Sequence, residues 1–453
     1  MAIFDDNQSE NVQKHTKFRR RTHIIEHRAL LSFQCHSNHP FLKKQQDEKF
    51  FGGGQQYINL DLNGHVTPLL VQDKVVGNNI LTNLIGKYTS KEITYWPAPI
   101  FTSNKKYWMS LEATELLILD MSQDEFFEIE IFAENSNSIF FSQQFDNYGL
   151  LMNDMSSKLG RKEDIPDWIV EGSVIGLQGG SEIVMDRYRE GRRKGAEITG
   201  VWIQDWSGQV NTGFGDRVNW NWEWNETYYP TLREDVEELK KDGAYFLVYM
   251  NPHLLQNSST FNSAQHANVL IKQRDDPSKP IIQGFGSGFD CGTVDLTTEK
   301  GRNWYKTEII FKALDLGIRG WMADFGEYVP LDKSEIILDC ELEENSECSA
   351  ENVHNEFPTL YAQVNFDAVN EYRKVGEIDE IYESNLSHMT DSIYFQFRFF
   401  IFYKSLAISS PSSNASFMTM VGALDLVSSG IVKLLLLMML AFLATPFLID
   451  SLL

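Results

Sequence analysis

From about Asp164 onward, short apolar runs alternate with stretches of helical periodicity. The runs Ser173 to Leu177, Gly200 to Gln204, Ala244 to Met250 and Gly320 to Ala323 read as buried strands. Between them, Glu182 to Lys194 and Leu232 to Lys241 read as helices. The second carries Leu232, Val236 and Leu239 on one face and a stop at Gly243. A third helix is predicted over Glu299 to Leu316, with Trp304, Ile309, Phe311, Leu314 and Leu316 at helical spacing and Gly317 to end it. Strand, helix and strand in this rhythm, without an internal repeat, predict a β/α barrel. Its last legible strand ends in Asp324-Phe325-Gly326-Glu327-Tyr328-Val329-Pro330. An apolar run that stops at an acid either delivers a carboxylate to a cleft or caps a strand with a solvated charge.

Upstream the period changes. Tyr57 to Leu62 and Phe126 to Phe132 alternate apolar with polar, and Gly, Asn and Pro break such segments from Phe50 to about Ser142. This predicts an antiparallel β-sandwich over residues 46–160. Gly52-Gly53-Gly54 lacks the strand–helix context of a phosphate loop and is expected to be a turn where backbone approaches something closely. Residues 1–45 are polar, with a basic run at Lys17 to Arg21, and are expected to be weakly ordered. The barrel is assigned residues 161–453, with an acid-rich insertion at about Asp332 to Asn352, a helix over Phe357 to Lys374, and an atypical character after about residue 384. There Leu434 to Pro446 is apolar on every side, but the uncharged run is short for a membrane span and contains a proline, so no membrane association is expected.

A net charge of −23 argues against nucleic-acid binding, which needs a basic footprint, and means that an anionic substrate must be caught by a local cation. Ten tryptophans, with Trp202, Trp206, Trp220, Trp222 and Trp224 clustered near acids, suit either sugar stacking or the filling of a large barrel. The four cysteines stand in no metal-ligand spacing. Cys340 and Cys348 flank an acidic loop and are able to bridge. No apolar leader segment follows Met1, so a cytoplasmic location is the default expectation.

Three stretches together resemble one family: Gly176-Leu177-Gln178-Gly179-Gly180; Gly200 to Gly208, running on through Phe214 to Trp222; and Gly320 to Pro330. They resemble glycoside hydrolase family 31, in its sulfoquinovosidase branch. Gly292 to Thr297, His354-Asn355-Glu356-Phe357-Pro358 and Gly52 to Gln56 fit in the same order, so the likeness covers about residues 30–375. The resemblance implies an N-terminal antiparallel β-sandwich followed by a (β/α)8 TIM barrel, a retaining α-glycosidase mechanism and no cofactor or metal. It makes Asp324 the nucleophile and places Gln178, Gln204, Arg217 and Trp220 in the set that binds the sulfosugar. The chemistry fits: a guanidinium fork matches a sulfonate, an indole N–H can donate to it, and glutamine amides orient hydroxyls. Arg217 paired to Asp216 or Asp205, and Trp220 as core, are the structural alternatives. Asp205 and Glu327 are expected to line the same pocket.

The family's general acid lies in a Trp-x-Gly-Asp-Gln stretch. The corresponding region here reads Met418 to Gly430, and Asp425 lacks that context, so the acid stays unassigned. Only 129 residues follow Asp324, where four more β/α units need about 140, so the barrel is expected to be incomplete at its C-terminal end. The resulting expectation is a retaining hydrolase of α-sulfoquinovosides, against an ordinary α-glucosidase or a sugar-binding pseudoenzyme without the acid.

Overall fold

The computed structural model describes residues 44–72, 94–131, 138–160, 166–213, 215–286, 288–331, 334–342, 348–375 and 418–420. The alternating N-terminal segments form two antiparallel sheets. One runs β1 (Phe50–Gly54), β3 (Pro97–Ser103), β4 (Trp108–Glu112), β7 (Ser138–Phe141); the other runs β2 (Val66–Leu69), β5 (Leu117–Asp120), β6 (Glu128–Ile131). Phe50, Phe101, Met109 and Leu111 of the first sheet meet Leu69, Leu117, Leu119 and Ile129 of the second in a single apolar cluster. Each such side chain contributes about 1.5–3 kcal/mol by leaving water. The glycine run is not a turn. Gly52–Gly54 lies inside β1, where the register against β3 shifts in a bulge. The close approach is present: a Cβ on Gly52 would sit 2.3 Å from the Ile100 carbonyl oxygen, one on Gly54 2.1 Å from that of Trp96, and both have positive φ.

Helices α1 (Tyr148–Leu159), capped by Asn147, and α2 (Asp167–Glu171) lead into the second unit. There β8 (Ser173–Leu177), β9 (Ile198–Ile203), β12 (Tyr245–Met250) and β17 (Gly320–Ala323) lie side by side and parallel, in the order β17-β12-β9-β8. Parallel neighbours need long crossovers, and helices supply them: α3 (Ser181–Arg193) between β8 and β9, and α4 (Leu232–Lys241) between β9 and β12. The crossover into β17 carries the hairpin-like strands β13 (His253–Leu255), β15 (Gln283–Gly284) and β16 (Asp290–Thr293), helix α5 (Ser259–Ala267), and the predicted helix. That helix is one rod in three parts, α6 (Glu299–Tyr305), a π-helical turn (Lys306–Ile310) and α7 (Phe311–Asp315). It buries Trp304, Ile309 and Leu314, and Gly317, at φ +89°, stops it as expected. A small hairpin, β10 (Gln209–Thr212) with β11 (Gly215–Val218), projects from the loop after β9.

The insertion contains β18 (Ile336–Ile337), paired with β14 (Lys272–Gln273), and two short helices, α8 (Asp339–Leu342) and α9 (Ala350–Val353). Cys340 and Cys348 form a disulfide. Helix α10 (Phe357–Val375) matches its predicted extent to one residue. No closed barrel is formed among the described residues, and an incomplete one was expected. Among the described residues four parallel strands form an open sheet, and β19 (Met418–Met420) runs antiparallel to β8, where a closing barrel strand would run parallel. The basic N-terminal run, the apolar tail and Asp425 lie outside the described residues, among which no helix is long and apolar enough to cross a membrane.

Candidate active site

A parallel sheet presents the residues that follow its strands along one edge. Gln178 follows β8, Gln204 follows β9, Asn251 follows β12 and Asp324 follows β17. Register sets them side by side: Leu177 pairs with Ile203, and Met250 with Ala323. The Gln178 amide donates to Gln204 Oε1 at 2.9 Å. Asp324 is half-buried; its N–H donates to the Met250 carbonyl at 3.1 Å and its Oδ2 accepts from the Tyr249 hydroxyl at 2.8 Å. This is a held carboxylate, not a freely solvated strand cap.

The turn after Asp324 is gripped through its carbonyls. Phe325 sits in the left-handed region at φ +61°, an uncommon conformation for an aromatic residue. His253 Nε2 donates to the Phe325 carbonyl at 3.1 Å, and its Nδ1 pairs with the Thr293 hydroxyl at 2.8 Å. Burial lowers the His253 pKa to about 3, so the ring is neutral. Gln283 Nε2 donates to the Tyr328 carbonyl at 2.7 Å. The His354 ring bridges two units: Nδ1 lies 2.8 Å from the Val329 carbonyl oxygen and Nε2 2.7 Å from that of Val71. Asn355 continues the clasp, accepting from Val71 N–H at 2.8 Å and donating to the Leu69 carbonyl at 3.0 Å.

Arg217, on β11, reaches over the loop between β15 and β16. Its Nη1 donates to the Phe285 carbonyl at 2.9 Å and its guanidinium lies 4.1 Å from the Phe289 ring centroid. Among the described residues no carboxylate pairs with it: Asp216 accepts from the Asn211 amide, and Asp205 is engaged elsewhere. Trp220 is 4% exposed and packs edge-on against Phe285, Phe289 and Phe325, at 5.0, 5.0 and 4.9 Å between centroids. Arg217 and Trp220 therefore share the Phe285 and Phe289 surface, and Trp220 touches the residue next to Asp324.

The other clustered tryptophans are structural. Trp202, Trp206, Trp222 and Trp224 donate their indole N–H groups to the carbonyls of Val248, Tyr249, His253 and Tyr229. Trp220 has no such protein acceptor among the described residues. Asp205 does not line a pocket. It is fully buried, accepts from the Tyr229 hydroxyl on Oδ1 and from Gly179 N–H at 3.0 Å and the Gln209 amide at 3.1 Å on Oδ2. Burial raises its pKa and these bonds oppose the rise. It ties the turn carrying Gln178 to the end of β9. Glu327 is half-buried in a short 3-10 turn, Gly326–Tyr328, and its charge reaches the Tyr249 phenol. Tyr249, Asn251, His253 and Gln283 were not singled out by sequence reasoning. The one available signal was the Asn251-Pro252 stop directly after a strand, the same kind of interruption that marks Asp324 to Pro330. Among the described residues no group of three or more His, Cys, Asp or Glu side chains is placed to hold a metal ion.

An open parallel sheet with a held aspartate and an amide pair along its carboxyl edge is the arrangement of a β/α-barrel enzyme's active face. Residues 180–417 match the TIM-barrel domain of glycosyl hydrolases family 31, and the chain belongs to that family. Among its relatives, it is 33% identical over 344 residues to a sulfoquinovosidase of Escherichia coli (strain K12), and 34% identical over 344 residues to one of Agrobacterium fabrum. Each alignment covers 74% of this chain and 49% of the relative, so the chain spans about half the length of the curated relatives it matches. A solved family 31 sulfoquinovosidase from E. rectale, in complex with the aza-sugar inhibitor IFGSQ, superposes with a TM-score of 0.65 at 30% identity, covering 74% of this chain and 49% of the other. A Flavobacterium johnsoniae dextranase of the same family shares the fold, at a TM-score of 0.59 and 18% identity.

Proposed function

We propose that this chain carries the nucleophile and sulfonate-binding parts of a retaining α-sulfoquinovosidase, built as a β-sandwich followed by a (β/α)8 barrel of which the described residues form one half. The observation that carries the reading is that Arg217, without a carboxylate partner among the described residues, and Trp220, without a protein acceptor there, share one aromatic surface that reaches Phe325 beside Asp324. A buried-edge guanidinium and an indole N–H are suited to one sulfonate. Gln178 and Gln204, joined to each other, offer amides to sugar hydroxyls. Asp324 attacks the anomeric carbon. The new C–O bond forms as the bond to the leaving oxygen breaks, and that oxygen takes the electron pair and a proton from a carboxylic acid outside the described residues. Water then hydrolyses the glycosyl-enzyme. An ordinary α-glucosidase would leave the Arg217 charge without its anion. A sugar-binding pseudoenzyme would share all of these contacts and lack turnover.

An α-sulfoquinovosyl fluoride separates these readings, because fluoride departs without a general acid. The chain should release fluoride and carry one sulfoquinovosyl group by intact mass spectrometry. Asp324→Asn should bind the sugar, form no adduct and lose at least ~10³-fold in rate. A mutant keeping a tenth of the rate removes Asp324 from the role. Binding without fluoride release by the parent chain establishes the pseudoenzyme instead.

A further inference from the structure

Beneath the edge of the sheet lies a second, buried layer that the glycosidase reading does not use. Tyr249 is 3% exposed, and its hydroxyl donates to Asp324 Oδ2 at 2.8 Å from the neighbouring parallel strand. Below it lie two further buried phenols, Tyr305 and Tyr361, whose hydroxyls meet at 3.1 Å. The Tyr305 hydroxyl also reaches the Asn251 carbonyl at 3.1 Å. Asn251 is wholly buried, and its Oδ1 accepts the His253 N–H at 2.9 Å. The Asn251 side-chain nitrogen is buried and has no hydrogen-bond partner among the described residues. The Tyr249 hydroxyl hydrogen is directed at Asp324 Oδ2.

Resting on the assignment of Asp324 as nucleophile, we propose that Tyr249 is its positioning residue: a buried donor on the neighbouring strand that holds the Asp324 carboxylate ionised and stabilises it as the leaving group when the glycosyl-enzyme is hydrolysed. Burial first, and then the Asp324 charge, push the phenol well above its ordinary value, so it stays protonated at every working pH and acts only as a donor. The bond is charge-assisted to the free carboxylate and weaker to the ester, because esterification removes the charge. Its loss therefore falls hardest on the step that regenerates the carboxylate. The Tyr305 hydroxyl shares the same floor and bonds Asn251 instead of Asp324, which makes it the control.

The test uses the whole chain with [4-13C]aspartate, the Asp324 signal being assigned with Asp324→Asn. In Tyr249→Phe the Asp324 pKa should rise by about 1–2 pH units, the size of one lost charge-assisted hydrogen bond. Tyr305→Phe should leave it in place. With α-sulfoquinovosyl fluoride, Tyr249→Phe should lower kcat and KM together and accumulate glycosyl-enzyme by mass spectrometry, whereas a merely structural loss would lower both adduct and rate. If Tyr249→Phe fails to fold, site-specific 2,3-difluorotyrosine, a stronger donor, should move the Asp324 pKa down. An unmoved Asp324 pKa in either variant overturns the proposal. A moved pKa in a parent chain that forms no adduct keeps the donor and overturns the nucleophile.

Discussion

Arg217 is where the specificity reading is most exposed to refutation. In the structure its guanidinium has one carbonyl partner, Phe285, and one aromatic face, Phe289, and among the described residues no carboxylate. A sulfonate received by the remaining N–H groups makes two charge-assisted hydrogen bonds at about 1.5–3 kcal/mol each, or roughly 3–6 kcal/mol in the limit of full desolvation. Arg217 is only half-buried, so solvent screening moves the expectation to the low end, about 3 kcal/mol, near a hundredfold in affinity. Calorimetric titration of the parent chain with methyl α-sulfoquinovoside and methyl α-glucoside should show that preference. Arg217→Ala should abolish it by weakening only the sulfosugar. Arg217→Lys should recover part of it, since an ammonium keeps the charge and loses the fork. The variant gives up one hydrogen bond and a cation–π contact, about 1–2 kcal/mol of stability, so a melting curve distinguishes lost recognition from lost fold. Equal affinity of the parent chain for the two glycosides refutes the sulfosugar reading and installs the α-glucosidase in its place.

Two further outcomes follow from particular groups. The general acid is unassigned, and general acid catalysis is worth about 10²–10⁴-fold, so this chain should hydrolyse alkyl sulfoquinovosides more slowly than 4-nitrophenyl ones by that order; equal rates on both would place a working acid within the chain. Burial, and then the Glu115 charge, raise the Glu356 pKa above its ordinary 4.5. Its folded form therefore favours the proton: any contribution to stability is complete below about 4.5 and is lost as pH rises through the folded value. Glu356→Gln should raise the melting temperature at pH 7 and leave it unchanged at pH 4, and a gain of equal size at both would show that charge is not the cause.

The elements of this fold that were legible in the sequence are those whose cause is local. Helix α4 was bounded to the residue because Leu232, Val236 and Leu239 repeat at helical spacing and Gly243, at φ +72°, ends the turn that follows. The strand ending at Asp324 was legible because its apolar run stops at an acid and a glycine, although only Met322 of its four residues is buried. Gly52–Gly54 was half legible. Three glycines announce a close approach, but whether the backbone turns or bulges is decided by β3 and the residue before it, where the Ile100 and Trp96 carbonyls occupy the space a Cβ would need.

The site's support was not legible, for a physical reason that these residues share. Tyr249 meets Asp324 across 75 residues of sequence, His253 meets Thr293 across 40, and His354 meets Val71 across 283. Each bond depends on the register of two strands or the docking of two units, and hydrophobic period carries neither. The same lack of three-dimensional context explains Asp205 and the tryptophans. An acid and five indoles around a strand end look like a sugar cleft in sequence, yet in the structure Asp205 accepts three protein donors and four of the indoles cap backbone carbonyls. Trp220 differs from those four in one respect, an N–H without a protein acceptor among the described residues, and the proposed sulfonate site is built on that difference. In the proposed site that N–H and the Arg217 guanidinium, which share the Phe285 and Phe289 rings, are the donors offered to the sulfonate.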